Sequence, residues 1–505
     1  MIGRTTAVVL AGLSGHLVDV EAHIGSSLPA FTLVGLPDAS LSEARDRVRA
    51  AIASSALDWP QRRVTVNLSP ASLPKSGTGT DLAIAIAILA AADQVDPALA
   101  GAAAHLGELG LDGRVRPVAG ALPAVAAAAA RGVDRVVVAA ANAEEANLVP
   151  GIEVVAVTTL AELARSYGAP DAIASATAPV PLPARPLALV EDVDLSEVQG
   201  QEEARWALEV AAAGGHHLLM SGPPGAGKTM LARRLPTILP PLTDEDAVTA
   251  TGIHSLAGTL DPSEGLLRTP PFEAPHHSAS AAAIVGGGSG LARPGAISRA
   301  HAGVLFLDEA PEFPARVLQT LRQPLEHGEV VLHRAHGATR YPARFQLVLA
   351  ANPCPCGQYY GTGDRCGCNA VQRRRYFGRL SGPLLDRVDL QVTVMPLRVG
   401  SAEPAEASAV VAARVARARA SAARRLECTP WRLNAQVSGS WLRSHTDGEA
   451  ARLVWQAIER GVLTARGADR TLRVAWTLAD LDDRPEPTAD DVAQALTLRS
   501  RGASA

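Results

Sequence analysis

The chain has 505 residues and carries 47 basic against 51 acidic side chains, a net charge of -4, so a globally basic nucleic-acid binder is not indicated, although a local patch is compatible with that balance. Its longest uninterrupted apolar stretch, 82–92, is about half the ~20 residues a membrane-spanning helix needs. The length suggests about three domains, each large enough to bury a core.

Residues 1–172 alternate β-rich runs such as 31–34, 63–67 and 135–138 with alanine-rich helical stretches, the pattern of an α/β domain. Thr5 to Leu13 follow Arg4 much as the core of a secretion signal would, but Asp19 and Glu21 come soon after and no small-residue cleavage site is evident. That segment is expected to be a strand and the protein cytoplasmic. From 173 to 191 the chain turns Pro/Ala-rich and almost uncharged (Pro179, Pro181, Pro183, Pro186), as a linker does. A second α/β block runs over 192–397, and 398–505 has helical periodicity with Arg-rich faces. Within it the run 410–426 carries Arg414, Arg417, Arg419, Arg424 and Arg425, a face for phosphates or simply a solvated one.

The second block opens on Gly222-Pro223-Pro224-Gly225-Ala226-Gly227-Lys228-Thr229, a complete phosphate-binding loop between a short apolar strand (217–221) and a helix that begins near Met230. Glycines let backbone N–H groups close around phosphate oxygens, Lys228 reaches the β/γ-phosphates and Thr229 offers a hydroxyl to Mg²⁺, so ATP and Mg²⁺ are the expected ligands. Composition supports the assignment. Only Lys75 and Lys228 among the 47 basic residues are lysines, leaving 45 arginines, and one of the two sits where a flexible point charge is required. About eighty residues later, Val304 to Leu307 form an apolar run that ends in Asp308 and Glu309. Asp308 is expected to join Thr229 in the Mg²⁺ shell, and Glu309 to orient and deprotonate water; two acids capping a helix are the ordinary alternative. A further apolar strand, 345–350, leads into Asn352, placed to sense the γ-phosphate.

Four of the five cysteines, Cys354, Cys356, Cys366 and Cys368, follow Asn352 closely, a cluster that favours one structural Zn²⁺ over free thiols or a redox switch. The segment 329–344 reads as a hairpin with Arg334 at its turn, and a second glycine-rich loop spans 286–293. Arg387 lies between Asp386 and Asp389, as an internal ion pair would.

These motifs together resemble a magnesium-chelatase-like AAA+ ATPase of the YifB/ComM group, over essentially the whole chain. The resemblance implies a Lon-protease-like (ribosomal S5-type) N-terminal domain, an AAA+ core and a helical lid of the magnesium-chelatase C-terminal type. It makes Asn352 sensor 1, Arg387 an arginine finger reaching a neighbouring subunit, and Arg466 or Arg470 sensor 2. A homo-hexamer follows, since a finger in trans makes the ring part of the active site. Segments 74–80 and 107–120 are those that resemble the Lon fold, but Gly79 occupies the nucleophilic serine position and Leu122 the lysine position, so the domain is expected to lack proteolysis. An unconventional dyad of Thr78 or Thr80 with Lys75 is the alternative. In related ring helicases the hairpin before sensor 1 points into the pore, which makes Arg334 a candidate DNA contact and the protein a helicase or branch-migration motor. A chelatase-like protein-remodelling ATPase working through a partner is the competing function.

Overall fold

The computed structural model describes residues 2–35, 43–71, 73, 77–174, 178–181, 193–288, 292–334, 337–380, 382–396, 405–461 and 463–500. Lys75, most of the expected linker, the 335–336 turn and the side chain of Arg334 lie outside what it describes.

The first 157 residues build a seven-stranded sheet from β1 (Ile2–Ala11), β2 (Ser14–Ile24), β3 (Phe31–Val34), β4 (Val64–Ser69), β5 (Ala104–Leu106), β8 (Arg135–Ala139) and β9 (Glu153–Val157), in the order β3-β4-β2-β1-β5-β8-β9. A small hairpin, β6 (Glu108–Leu109) and β7 (Val115–Arg116), stands beside it. β1 and β2 pair antiparallel along their full length, whereas β5, β8 and β9 run parallel. The segment that mimics a secretion signal is therefore a strand, with Ala7 and Val9 turned into one core and Val8 into another. The apolar run at 82–92 is the helix Asp81–Ala91, buried on all sides because β1, β2 and the helix Ala44–Ser54 enclose it. Burying its leucines and isoleucines stabilises the domain by about 1.5–3 kcal/mol each. The helix Ala121–Ala129 covers the opposite face.

The second sheet is all parallel: β11 (Phe272–Glu273), β14 (Val304–Leu307), β17 (Gln346–Ala351), β10 (Leu218–Ser221) and β18 (Leu390–Thr393), in that spatial order. Its strands are near-continuous apolar runs because both faces are covered. Alternation divides them: Leu218, Met220 and Phe306 point into one core, and Leu219, Leu305 and Leu307 into the other. Two hairpins project from this block, β12 (Gly286–Gly287) with β13 (Arg293–Pro294), and β15 (Glu329–Arg334) with β16 (Gly337–Pro342). The C-terminal part is helical, with Ser408–Arg425, Gly448–Glu459, Ala465–Leu481 and Ala489–Ser500 as its main members. Val411, Val415, Leu472 and Ala475 pack into the same core as β10 and β18.

Of the five arginines expected on Ser408–Arg425, Arg417 and Arg424 are exposed, as the solvated reading has it, and the other three are used inside the molecule. Arg414 pairs with Glu209 and Glu406, Arg419 donates to the Ala212 carbonyl at 2.7 and 2.8 Å, and Arg425 pairs with Asp480 and Asn434. Three arginines of the five fix this helix to its neighbours. Neither the phosphate-binding nor the solvated reading describes them.

The first sheet also touches the second block. Ser255 on the helix Asp244–Ala257 donates to the buried Glu145 carboxylate, whose Oε1 also accepts the Leu122 N–H at 3.1 Å. Leu256 lies against Gly120, and Leu13 against Gly252.

Candidate nucleotide site

The phosphate loop follows β10, which lies between β17 and β18 where the strand order reverses, and ligands of open parallel sheets bind outside the carboxyl ends of the strands at such a point. Gly222 donates to the Ala351 carbonyl at 3.1 Å, which fixes the loop to the end of β17. A Cβ there would stand 2.0 Å from the Val394 carbonyl oxygen, so only glycine fits. Gly225 and Gly227 have φ of +77° and +93°, left-handed values that glycine adopts without strain. Gly227 ends the loop and Lys228–Ile238 begins the helix, so the free N–H groups of its first turn face the loop. Ala226 is buried, its carbonyl accepting from Gln201, while Met230 packs half-buried on the core beside the loop. Pro223 and Pro224 complete the turn.

Four of the expected side chains converge here. Lys228 is buried and its Nζ donates to the carbonyls of Gly222 (2.6 Å) and Pro223 (2.9 Å) and to Asn352 Oδ1 (3.2 Å). Burial lowers its pKa, opposed by the nearby carboxylates of Asp308 and Glu309. Thr229 Oγ1 donates to Asp308 Oδ2 at 2.6 Å, bringing together the hydroxyl and carboxylate expected to share a Mg²⁺ shell. Such oxygens suit a hard divalent cation.

Glu309 has φ +49°, uncommon for a residue with a Cβ, and its N–H is held by Asp308 Oδ1 at 2.9 Å. Its carboxylate faces His277, with Nδ1 3.3 Å from Oε2. That contact is absent from the sequence reading. His277 follows β11 and has no local pattern to tie it to an acid 32 residues later; only the adjacency of β11 and β14 does so. The same His ring stands edge-on to Phe313 and 4.1 Å from that of His276.

Arg387 points elsewhere. It pairs with Glu326 and donates to the Pro383 carbonyl, and its pKa is lowered by burial and by the positive fields of Arg322, Arg470 and Arg466. The two candidate sensors differ. Arg470 donates to Asp389 at 2.8 Å, and Asp389 is buried, also bonded to His216 at 3.0 Å; burial opposes its ionisation, yet His216, Arg470 and Arg473 hold it below the usual carboxylate range. Arg466, in the first turn of Ala465–Leu481, is exposed.

The four cysteine sulfurs lie within 4.8 Å of one another, an arrangement fit for a metal ion. Burial pushes the Cys354 thiol up to about 12, whereas hydrogen bonds from the Gln358 N–H and from Cys354 pull Cys356 down to about 6. In the expected protease-like region, Gly79 faces Leu106 and Val118, Leu122 is buried, Thr78 donates to Glu108, and the buried Thr80 hydroxyl has no partner among the described residues.

Known families match three successive stretches of the chain. Residues 20–142 match subunit ChlI of Mg-chelatase, 194–402 match magnesium chelatase, subunit ChlI, and 405–499 match the ChlI C-terminal family. The competence protein ComM of Haemophilus influenzae is 40% identical over 496 residues, 97% of this chain and 96% of the relative. The chain belongs to the magnesium-chelatase-like YifB/ComM family. The uncharacterized protein YifB of Escherichia coli is 41% identical over 496 residues, covering 97% of this chain and 95% of its own. An uncharacterized protein of Mycobacterium tuberculosis is 51% identical over 511 residues, 99% of both chains. Family membership makes this an AAA+ ATP-binding protein, and the described residues contain no helix long and apolar enough to cross a membrane.

Proposed function

We propose that this YifB/ComM-family protein is an ATP-hydrolysing ring motor that acts on single-stranded or branched DNA, as a cytoplasmic homo-hexamer with ATP, Mg²⁺ and a cysteine-held Zn²⁺ as its cofactors. The observation that carries the reading is the convergence of Lys228, Thr229, Asp308 and Asn352 at the ends of three neighbouring strands. Lys228 and the loop amides bind the β/γ-phosphates, Thr229 and Asp308 hold Mg²⁺, Asn352 contacts the γ-phosphate and Glu309 takes the proton of the attacking water. Arg387 has its partners away from the loop of its own chain, which supports a finger reaching the next subunit. Of the two sensor-2 candidates we favour Arg466, because Arg470 is already paired with a buried carboxylate. The first sheet is a Lon-like fold without proteolytic chemistry.

DNA contact is assigned to Arg334 at the end of β15. Val330 and Tyr341 anchor the base of that hairpin in the core. The glycine hairpin stands alongside, since a Cβ at Gly286 would lie 3.1 Å from Leu332. Tracking along DNA without regard to sequence needs phosphate contacts, which arginine supplies. The match to the ChlI families favours a second reading, a chelatase-like ATPase that remodels a protein partner. Hydrolysis measured with and without forked DNA separates the two. A DNA motor is stimulated, and Arg334→Ala brings the stimulated rate down to the rate without DNA. Absence of DNA binding even at low salt, where phosphate contacts are strongest, selects the remodelling reading.

A further inference from the structure

We propose that Cys354, Cys356, Cys366 and Cys368 hold one Zn²⁺ in a knuckle clamped against the phosphate loop, so that metal occupancy sets the affinity for ATP. The inference rests on the ATP-binding reading above and adds a means of controlling it.

The sulfur of Cys354 lies 3.3 Å from that of Cys356 and 3.6 Å from that of Cys366, and Cys356 lies 3.7 Å from Cys366. Four thiolates at about 2.3 Å from one Zn²⁺ in a tetrahedron stand about 3.8 Å apart; three of the sulfurs are near that spacing, and the fourth, Cys368, lies within 4.8 Å of each. A disulfide would join sulfurs at about 2.05 Å and serve them only in pairs. The Cys368 N–H points at the Cys366 sulfur at 3.4 Å, and the Arg373 guanidinium holds the Cys368 carbonyl at 2.7 Å while stacking 3.9 Å over the Tyr359 ring. Within 354–368 only Cys354 and Gly357 are buried. A loop with so little apolar burial draws its order from the metal, and soft thiolates select zinc.

The knuckle is attached to the nucleotide site at two points. Gly357 has φ +73° and lies directly on the loop proline: a Cβ there would stand 2.6 Å from Pro224 Cδ. Cys354 is two residues past Asn352, whose Oδ1 accepts from Lys228. The metal thus holds both the roof of the phosphate loop and the strand end that carries the γ-phosphate contact.

Zinc content of the full chain is measured by mass spectrometry. Binding of a fluorescent ATP analogue with Mg²⁺ is compared for zinc-loaded, zinc-stripped and zinc-restored protein and for Gly357→Ala. About one equivalent of zinc is expected, with ATP affinity falling roughly tenfold on stripping and returning on restoration. Gly357→Ala keeps the four thiols, its zinc content is measured alongside, and by lifting the knuckle from Pro224 it is expected to lose a similar factor while retaining zinc. This variant separates coupling from misfolding of the stripped protein. Less than about 0.3 equivalents before and after incubation with Zn²⁺ overturns the site. ATP affinity indifferent to both zinc and Gly357→Ala overturns the coupling alone. Zinc-loaded protein that binds no ATP overturns the nucleotide reading and the coupling with it.

Discussion

In sequence, each of the chain's two lysines lies beside a glycine-rich segment, 77–80 in the first block and 222–229 in the second, yet the polar groups around them are arranged in opposite ways. At the first, Asp81 is fully buried and held by Arg47 at 2.7 and 3.0 Å, and His105 is closed between Thr5 (2.7 Å) and Tyr167 (3.0 Å). Those partners are internal, although the buried Thr80 hydroxyl at the same turn has none among the described residues. At the second, Lys228 donates to carbonyls of its own loop, and Thr229 and Asp308 hold one another at a strand end, contacts that a phosphate and a cation would exchange under the proposed nucleotide binding. A polar cluster whose bonds are exchangeable binds ligands; one whose bonds are closed stabilises a fold.

The sharpest way to break this contrast is to remove groups from each turn. Glu309→Gln, which keeps the shape and loses the base, is expected to lower kcat for ATP by 10² to 10⁴, roughly the range for a general base, with nucleotide binding retained. Arg387→Ala should cost on the order of 10³ if it is a finger, and the loss should be complemented by mixing with a subunit that supplies Arg387 but lacks Glu309. Thr80→Ala, at the first turn, should change neither ATP turnover nor release of peptides from unfolded casein. Peptide release that Thr80→Ala abolishes would assign chemistry to the first sheet and end the comparison.

His277 gives an intermediate effect. Its imidazole, 3.3 Å from Glu309, orients a carboxylate on a strained backbone, so His277→Ala should lower kcat about tenfold with KM for ATP nearly unchanged. His277→Asn, which keeps a donor, should recover part of that loss. Equal rates for both variants and the parent would remove His277 from the mechanism.

How much of this was legible in the sequence follows from the range of each interaction. The phosphate loop, Asp308 and Glu309 are encoded locally, by glycines at fixed offsets and by acids at the end of an apolar run, and the strands and helices around them came out within a few residues. His277 was not, because its partner becomes a neighbour only through the parallel pairing of β11 and β14. The arginines of Ser408–Arg425 misled for a related reason: their periodicity marks a polar face, and whether that face meets water or Glu209, Ala212 and Asp480 is decided by packing of chain segments far apart in sequence. Asp81 stands in the first turn of its helix, while its ion pair depends on Arg47, 34 residues away.

That pair sets the next effect. Arg47→Ala leaves Asp81 buried without its cation and should destabilise the protein by about 3 kcal/mol, read from urea unfolding. The same variant should keep normal ATP affinity, since its contacts lie between two helices of the first block.

The smallest expected effect tests whether the first sheet's network is as closed as it looks. Burial lowers the His105 pKa from 6.5 to about 3, so the folded protein keeps the ring neutral while the unfolded chain takes up a proton below pH 6.5. The stability it contributes is complete above pH 6.5 and is lost as the pH falls from 6.5 towards 3, at up to about 1.4 kcal/mol per pH unit. His105→Gln keeps a donor and an acceptor but cannot titrate, so its unfolding free energy at pH 7 should be lower through imperfect packing, while its decline with acid should be shallower than the parent's. Parallel declines would mean that protons enter elsewhere, and the contrast between closed and exchangeable polar groups would then rest on the ATP site alone.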